Sequence, residues 1–343
     1  MTVAVIGAGI SGAACARALH DAGVPVRVLD RGRTPAGRMS SRTLAGRPVD
    51  LGASYFTARD PAFVAVVDDW VARGLARPWT DTFHVATPAG IGRPKSGPMR
   101  YGTPAGSRSL VADLLTGLDV VTERAVQRVA PGGGDSGSDG PLVDGPLVDG
   151  PLVDGPLVDG PLVDGERYAA AVLAMPDPQA EPLLDPSLTA ELAAVQDRAW
   201  EPVLALAAGW EDQQWAGFDG CFVEESADLA WLADDGRRRG DGAPVLVAHS
   251  TPQFAAQHLD DPAAGGPGLL AAASQVLGIS APPSWTRVQR WTYARPAAPR
   301  EEPFHLGADL VGLCGDGWGS PRVETAWSSG NQLGRELARR LAR

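Results

Sequence analysis

The sequence is poor in cysteine, lysine and histidine, and each shortage removes a class of function. Among its 343 residues are 3 cysteines, Cys15, Cys221 and Cys314, and none of them forms a Cys-x-x-Cys pair. A disulfide framework or a cysteine metal site is therefore not expected. Lys95 is the only lysine, so a mechanism that requires a lysine has one candidate. Without H-x-H or H-E-x-x-H spacing no metal site is predicted, and a surface or hydrogen-bonded core role is expected for the histidines, which are His20, His84, His249, His258 and His305.

Basic charge and long apolar runs are also missing. The formal net charge of -11 disfavours nucleic acid and anionic membranes as partners, because both require a basic surface. No stretch approaches the roughly 18 consecutive apolar residues of a membrane span. The first residues show neither the basic region nor the cleavage site of a secretory signal. We therefore expect a cytoplasmic protein, and the chain length predicts about two domains.

The N-terminal residues carry a dinucleotide-binding pattern. An apolar run at Val3–Ile6 precedes Gly7-Ala8-Gly9-Ile10-Ser11-Gly12, a helical stretch at 13–22 and a second apolar run at Val26–Leu29 that ends on Asp30. In such a unit the first glycine permits a tight turn, the second lets the backbone approach a pyrophosphate, and the third lets the helix pack closely. The helix N-terminus offers free N–H groups to the phosphates, and the acid can bind a ribose. The pattern predicts a dinucleotide and leaves NAD and FAD open.

Two further segments favour FAD. Residues 32–42 combine glycine and arginine directly after Asp30, which suits a loop over the pyrophosphate with Arg38 as the charged donor. Near the other end, an apolar strand at 310–313 leads into a Gly-Asp turn and then into a helix that begins near Arg322. An aspartate there can bind a polyol, and the helix N-terminus can face a ring that gains negative charge on reduction.

These segments resemble the flavoproteins of the amine oxidase superfamily and, more narrowly, the bacterial renalase-like enzymes. The matching stretches keep their order along most of the chain and are AGRMSSR (36–42), VDLGASYFTARDPAF (49–63), DGCFVEESADLAWLA (219–233), RWTYARPA (290–297) and CGDGWGSPRVETAWSSG (314–330). Three features depart from the family: Ser54 replaces a glutamine, the loop 102–107 lacks a methionine, and Gly317 separates Asp316 from Trp318. The substrate could therefore differ from that of renalases.

The resemblance implies an α/β fold. A Rossmann-type FAD-binding domain of the glutathione-reductase and monoamine-oxidase kind would be followed by a mostly antiparallel α+β substrate domain. We expect the FAD-binding domain at 1–60, 106–177 and 305–343, and the substrate domain at 61–105 and 178–304. Helices are predicted at 60–73, 107–118 and 267–277, and strands at 120–129, 168–174, 201–209, 220–224, 228–232, 244–249 and 288–293.

The resemblance also implies FAD as the cofactor and assigns its contacts. The glycines of the first turn would hold the pyrophosphate, Asp30 the adenosine ribose, Arg38 the phosphates and Asp316 the ribityl chain. Val126 would contact adenine through its backbone, and the backbone of 323–326 would meet the edge of the flavin. The predicted cofactor-binding residues are Gly7, Gly9, Ile10, Ser11, Gly12, Asp30, Arg31, Gly37, Arg38, Met39, Ser40, Val126, Gly315, Asp316, Val323, Glu324 and Ala326.

For the substrate, the resemblance implies that Trp291, Tyr293 and Arg295 line the active site. Arg295, Arg100 or Arg42 could bind a phosphate or carboxylate of the substrate, with a surface ion pair as the alternative for each. The sequence has no G-x-S-x-G nucleophile motif and no recognisable acid–base pair. A substrate that simply loses a hydride needs little side-chain chemistry beyond positioning.

Three functions stay open at this point. The resemblance implies an FAD-dependent oxidase that converts isomeric dihydro-NAD(P) to NAD(P)+ and passes the electrons to O2 to give H2O2. Another FAD-dependent amine oxidase or a desaturase is the first alternative, although Lys95 lies in a Pro/Gly-rich loop where a catalytic lysine is not expected. A non-catalytic FAD-binding protein is the alternative from another class.

Residues 140–165 contain five identical PLVDG units. A proline in every unit forbids a helix, and each Asp-Gly favours a turn. We predict a solvent-exposed loop at 131–165, inserted between two strands of the cofactor domain and remote from the flavin ring, with a partner-binding tether as the alternative.

Overall fold

The computed structural model describes residues 1–133 and 160–343. The helices in these residues are α1 (Ile10–Asp21), α2 (Pro61–Ala72), α3 (Arg108–Leu114), α4 (Asp177–Ala180), α5 (Thr189–Val195), α6 (Asp235–Arg239), α7 (Pro252–Gln257), α8 (Gly266–Leu277) and α9 (Val323–Leu341). The strands are β1 (Val3–Ile6), β2 (Val26–Leu29), β3 (Ser41–Leu44), β4 (Arg47–Asp50), β5 (Arg77–Thr87), β6 (Gly90–Gly102), β7 (Asp119–Val121), β8 (Val129–Ala130), β9 (Leu162–Val163), β10 (Glu166–Arg167), β11 (Ala170–Leu173), β12 (Trp200–Gly209), β13 (Gly220–Val223), β14 (Leu229–Asp234), β15 (Val245–Ser250), β16 (Trp285–Pro296), β17 (His305–Leu306) and β18 (Val311–Leu313).

A six-stranded sheet forms the centre of the N-terminal unit. Its strand order is β17-β18-β11-β1-β2-β7, and all neighbours run parallel except β17 and β18. Both faces of β1 are covered: Val3 and Val5 belong to one core with α1 and α9, and Ala4 and Ile6 to another with residues 180–195. This two-sided burial explains the continuous apolar run, as in parallel sheets generally.

Helices α1 and α9 pack together through small residues and join the two ends of the chain. A methyl group added at Gly330 would lie 1.9 Å from the carbonyl oxygen of Ser11, and one at Gly334 would lie 2.5 Å from that of Cys15. Only glycine permits this approach, since real side-chain contacts are never so short. The N-terminus of α9 is thereby fixed next to the first glycine turn.

A seven-stranded sheet forms the second unit. Its order is β16-β12-β15-β14-β13-β5-β6, and only β13 and β5 pair in parallel. Leu204 and Leu246 pack on one face together with residues of α7 and α8. Ala205 and Val247 on the opposite face pack against Leu51 of the N-terminal unit. The side chains of this second face therefore point toward the predicted cofactor region.

Two segments pack on the N-terminal unit although the predicted domain bounds assign them to the substrate domain. Phe63, Val67 and Trp70 of α2 lie in the same core as α1 and α9. Leu184 and Leu188 pack on the opposite face of the six-stranded sheet. The domain bounds themselves stay a prediction.

The predicted strand at 120–129 is wrong over most of its length. Strand β7 ends at Val121, and residues 122–128 leave the sheet with Glu123 in the left-handed region at φ 57°. Their backbone N–H groups bond elsewhere: Glu123 donates to the Gly32 carbonyl and Arg124 to the Asp30 carbonyl. The segment that contains Val126 is thus tied to the turn after β2 rather than to a ribbon partner.

The fifth PLVDG unit, Pro161–Gly165, is part of the fold, so the prediction of an exposed loop across 131–165 is wrong for this unit. Strand β9 pairs with β8 and, through a two-residue turn at Asp164 (φ 50°) and Gly165 (φ 85°), with β10. These positive φ values are typical of an Asp-Gly hairpin turn. Val163 is only 2% exposed and packs in the same core as Val129 of β8. The rest of the predicted loop at 134–159 lies outside the described residues.

The Asp164 carboxylate ties the fifth unit to the neighbouring segment. Its Oδ1 accepts hydrogen bonds from the N–H groups of Gln127 at 2.8 Å and Arg128 at 3.0 Å. Its Oδ2 pairs with Arg124 at 3.0 Å. Asp164 therefore holds both sides of Val126, the residue predicted to contact adenine.

Candidate cofactor and substrate site

The three glycines of the first turn have three different environments. Gly7 has φ +106°, which permits the sharp exit from β1, and a methyl group at Gly12 would lie 1.9 Å from the Gly7 carbonyl oxygen. At Gly9, by contrast, no atom of the described residues, apart from Gly9 and its neighbours along the chain, lies within 4 Å of the position of an added methyl group. Gly9 precedes the first turn of α1, where Ile10 and Ser11 lie and where free N–H groups can receive an anion. The open position is thus at the place where the sequence predicts a pyrophosphate.

Asp30 fixes the shape of this turn. Its Oδ2 accepts a hydrogen bond from the Ala8 N–H at 2.7 Å, and its Oδ1 accepts one from the Gly32 N–H at 2.6 Å. A carboxylate has about four acceptor positions, so lone pairs remain for a ribose hydroxyl. Arg31 is exposed beside it.

The loop at 31–40 folds back over the glycine turn. The Ala36 N–H donates to the Ala8 carbonyl at 2.9 Å, and a methyl group at Gly37 would lie 3.6 Å from the Gly9 Cα. Met39, in the short 3-10 helix Gly37–Met39, is buried, and Ser40 follows it half-buried. The predicted pyrophosphate loop and the glycine turn are therefore in contact.

Arg38 and Asp316, predicted to hold different parts of the cofactor, form a bidentate ion pair. Arg38 Nη1 lies 2.8 Å from Asp316 Oδ2, and Nη2 lies 2.6 Å from Oδ1. Arg38 also donates to the Ala294 carbonyl at 2.9 Å and lies over the Trp200 ring at 5.2 Å. Paired fork-to-fork geometry of this kind is strong and orients both groups. It brings the first and last parts of the chain and the second sheet to one place.

The N-terminus of α9 lies beside this pair with its backbone donors available. Its N-cap residue, Arg322, makes no side-chain hydrogen bond to the helix. The Glu324 carboxylate turns away instead and accepts from the N–H groups of Arg59 and Asp60 at 2.5 and 2.7 Å. The N–H groups of residues 323–325 can thus still bind a ring edge, whereas the N–H of the buried Ala326 donates to the Arg322 carbonyl at 3.1 Å. Gly315 in the preceding turn donates its N–H to Ser329 Oγ at 3.1 Å.

The three predicted substrate residues all lie on β16, but one of them, Arg295, has different surroundings from the other two. Trp291 Nε1 donates to the Leu51 carbonyl at 2.8 Å, and Tyr293 is half-buried two residues further on. Arg295 is 52% exposed at its side chain and pairs with Glu201 at 2.5 Å. Its surroundings are those of a surface ion pair.

Sequence analysis missed an aromatic cluster on the face of the second sheet that points toward the cofactor region. It consists of Tyr55, Trp79, Phe83, Phe222 and Trp231 and is called the aromatic cluster below. Ring centroids lie 5.0 Å apart for Tyr55 and Phe83, 5.3 Å for Trp79 and Phe83, and 4.7 Å for Phe83 and Trp231. Its members come from three strands, β5, β13 and β14, and one loop, so no local sequence pattern predicts it.

His249 was expected to be a surface or hydrogen-bonded core residue, and this is wrong for its Nε2 atom. His249 is opposite Trp231 in the pairing of β15 with β14. Burial, together with the charge of Arg238, lowers the pKa of His249 to about 4, so the imidazole is neutral at physiological pH. Within the described residues its Nε2 is buried without a hydrogen-bond partner, as is the hydroxyl of Ser54. Because the ring donates its one N–H to the Leu51 backbone, Nε2 can accept a hydrogen bond from a bound molecule, and the Ser54 hydroxyl can accept or donate one.

A cluster of buried charges holds this face against the N-terminal unit. Arg239 pairs with Asp50 at 3.0 Å and with Asp235 at 3.4 Å, and Arg238 donates to the Ser54 carbonyl at 2.7 Å. Burial opposes ionisation of Asp235, but Arg238, Arg239 and Arg47 outweigh it and lower its pKa to about 2. The cluster fixes the loop that leads from Asp50, at the end of β4, to Tyr55.

The described part of the chain offers no group of three or more His, Cys, Asp or Glu side chains arranged to hold a metal ion. Within residues 1–133 and 160–343, no helix combines the length and the apolarity that crossing a membrane requires.

Comparison with known proteins supports a Rossmann-like fold for the N-terminal unit. Residues 5–70 match the family model of the NAD(P)-binding Rossmann-like domain. A stretch of 57 residues is 42% identical to the hydroxyneurosporene desaturase of Rubrivivax gelatinosus, and this match covers 17% of this chain and 11% of the desaturase. The matched part is therefore a small fraction of that relative.

Solved structures resemble the whole chain. A putative protoporphyrinogen oxidase from Exiguobacterium sp. 255-15 is 12% identical with a TM-score of 0.72, covering 99% of both chains. Cyclohexylamine oxidase from Brevibacterium oxydans IH-35A is 14% identical with a TM-score of 0.73, covering 100% of this chain and 99% of the other. A variant of putrescine oxidase is 14% identical with a TM-score of 0.71 over 99% of this chain and 100% of its own. All these proteins are oxidoreductases by name. The chain has the fold of the amine oxidases with a Rossmann-like dinucleotide-binding domain, and the predicted α/β fold class is confirmed.

Proposed function

We propose that the protein is an FAD-dependent oxidoreductase, a renalase-like oxidase that takes a hydride from a dihydronicotinamide-type substrate. One observation carries the proposal. The glycine turn, Asp30, Arg38, Asp316 and the N-terminus of α9 come from both ends of the chain and surround a single region. A dinucleotide as long as FAD requires such a region, with donors for its phosphates and a second donor set for its ring.

The described residues fit FAD. The open position at Gly9 leaves room for the pyrophosphate next to the N–H groups of Ile10 and Ser11. Asp30 would bind the adenosine ribose, and the segment around Val126 would lie along the adenine. Arg38 and Asp316 would share the phosphates and the ribityl chain. The backbone at 323–326 would face the ring.

When bound, FAD accepts a hydride from the substrate, and its two electrons then reduce O2, with one proton, to H2O2. The chain's own residues provide the positioning. Trp291, held by the Leu51 carbonyl, and the half-buried Tyr55 and Trp79 of the aromatic cluster would offer apolar ring surface to a planar substrate. The neutral His249 and the Ser54 hydroxyl can bind polar groups of the substrate without taking a proton from it.

The position of Lys95 favours this chemistry over amine oxidation that uses a lysine. Lys95 is exposed on β6, the edge strand of the second sheet. Amine oxidation without a lysine is the second candidate, because the similar structures include cyclohexylamine oxidase and putrescine oxidase. The domain bounds, the cytoplasmic location and O2 as acceptor stay predictions.

Anaerobic mixing of the FAD-loaded protein with 2-dihydro- or 6-dihydro-NAD(P) tests the proposal. The flavin absorbance should bleach rapidly, and admission of O2 should restore it with formation of H2O2. The ordinary 4-dihydro isomer is the matched control and should bleach it more slowly. Bleaching by cyclohexylamine or putrescine alone would establish the second candidate. A flavin that none of these compounds reduces would point to a non-catalytic FAD-binding protein.

A further inference from the structure

The three arginines predicted as possible anion ligands differ in burial and in their ion pairs. Arg42 is exposed, and Arg295 is paired with Glu201 at the surface. Arg100 is only 9% exposed. Its Nη1 is buried and has no hydrogen-bond partner among residues 1–133 and 160–343, and its guanidinium forms no ion pair there. Arg100 is therefore the one of the three that is both buried and uncompensated.

An uncompensated buried guanidinium is costly unless something neutralises it. The Arg100 Cζ lies 3.9 Å from the centroid of the Phe83 ring, which gives a favourable but weak contact. Burial lowers the pKa of Arg100, and only the more distant Tyr55 and Asp81 act against this. Buried charges in proteins are generally paired, and an exception calls for a partner outside the chain.

Two neighbouring donors are also without acceptors. The indole Nε1 atoms of Trp79 and Trp231 are buried and lack a hydrogen-bond partner in the described residues. Both rings contact Phe83, at centroid distances of 5.3 and 4.7 Å, on which Arg100 is stacked. Indole and guanidinium can only donate. One cluster thus holds three unsatisfied donors, which is the complement of an anion.

The aromatic cluster links this place to the cofactor region. Trp231 is opposite His249, and Tyr55 lies in the loop after β4 that also carries Leu51, the partner of Trp291. At its other end Phe222 is 45% exposed, which leaves that edge of the cluster open to solvent. The cluster therefore reaches from the exposed Phe222 to the loop that holds Trp291.

We propose that Arg100, with the indole donors of Trp79 and Trp231, is an anion subsite that selects substrates in which a carboxylate or phosphate is attached to a planar ring. The inference rests on the proposed function only in treating this face as the substrate side of the cofactor. The ring stacks on the aromatic cluster, and the acid group binds the guanidinium through charge-assisted hydrogen bonds.

Binding of matched probe pairs to the FAD-loaded full chain tests this subsite. The carboxylate pair is benzoate and benzamide, and the phosphate pair is phenyl phosphate and phenol; all are titrated by calorimetry. The anionic member of at least one pair should bind about 10- to 100-fold more tightly, as expected for hydrogen bonds to a charged group. Arg100→Gln should abolish the preference, and Arg100→Lys should restore part of it. Arg93→Gln, an exposed arginine on the same strand, should leave it unchanged.

Equal affinity of the wild-type protein for both members of each pair would overturn the proposal. This result needs no variant, so the test still holds if Arg100→Gln folds poorly. A preference that survives Arg100→Gln would also overturn it. The pair that shows the preference identifies the acid group. These affinities do not depend on turnover, so failure of the dihydronicotinamide assay and failure of the anion subsite are separate results.

Discussion

A single methyl group, placed at Gly9 or at Gly12, should separate cofactor binding from folding. At Gly9 the backbone has φ -74° and ψ 178°, which alanine adopts freely, and outside its own stretch of chain no atom of residues 1–133 and 160–343 lies within 4 Å of the added carbon. The free energy of unfolding of the cofactor-free protein should change by less than about 1 kcal/mol. The methyl group would instead occupy the approach to the pyrophosphate. Loss of one or two hydrogen bonds to a charged phosphate should weaken FAD binding by about 10- to 100-fold or more.

Gly12→Ala is the matched control, because its methyl group would lie 1.9 Å from the Gly7 carbonyl oxygen. Such an overlap forces the backbone apart and should lower the free energy of unfolding by about 1–3 kcal/mol or more. Urea unfolding of the cofactor-free proteins, followed by tryptophan fluorescence, gives the stabilities. Titration with FAD, followed by its fluorescence, gives the affinities. Wild-type FAD affinity in Gly9→Ala would refute the placement of the cofactor on this turn.

Three further predictions concern stability. Arg239→Met removes a cation from the buried Asp50 and Asp235 and should lower the free energy of unfolding by about 3–5 kcal/mol. The control Arg237→Met, at an exposed pair with Asp219, should lower it by less than about 1 kcal/mol. Similar urea midpoints for the two variants would contradict this prediction. The pKa of His249, lowered to about 4, means that the unfolded chain binds a proton between about pH 6.5 and 4 that the folded chain does not. Stability should therefore fall by about 3 kcal/mol as the pH drops through this window, and His249→Gln should flatten the decline; an unchanged slope would be inconsistent with a buried neutral imidazole. Deletion of residues 141–160 leaves one PLVDG unit before Glu166 and should preserve the melting temperature and the FAD content. Deletion of residues 141–165 also removes β9 and should lower both quantities. Equal effects of the two deletions would show that β9 is not needed for stability or FAD binding.

Much of the N-terminal unit could be predicted because its signals are local. Strands β1 and β2 lie at the predicted residues, since two-sided burial in a parallel sheet leaves a continuous apolar run. Helix α2 begins after Asp60, whose carboxylate accepts hydrogen bonds from the N–H groups of Ala62 and Phe63, so the predicted helix is confirmed to within one residue at either end.

The features that sequence analysis missed depend on tertiary structure. Strand β6 contains Pro94 and Pro98 and is mostly exposed, so it lacks the alternation that marks a strand; its place at the sheet edge tolerates both prolines. The aromatic cluster and the buried position of Arg100 arise only when distant strands pair. His249 has an ordinary sequence context, and only in the folded chain do burial and the charge of Arg238 act on its ring.

The docking of the last PLVDG unit has a consequence for how this chain can change over generations. Because the units are identical, removing any one of them yields the same protein, and the unit that precedes Glu166 is always a complete PLVDG preceded by glycine. Copying errors in the coding repeat can therefore shorten or lengthen the tract in steps of five residues without altering β9 or its turn. The sequence of β9 and of its turn is thus preserved under such errors until the final copy is lost.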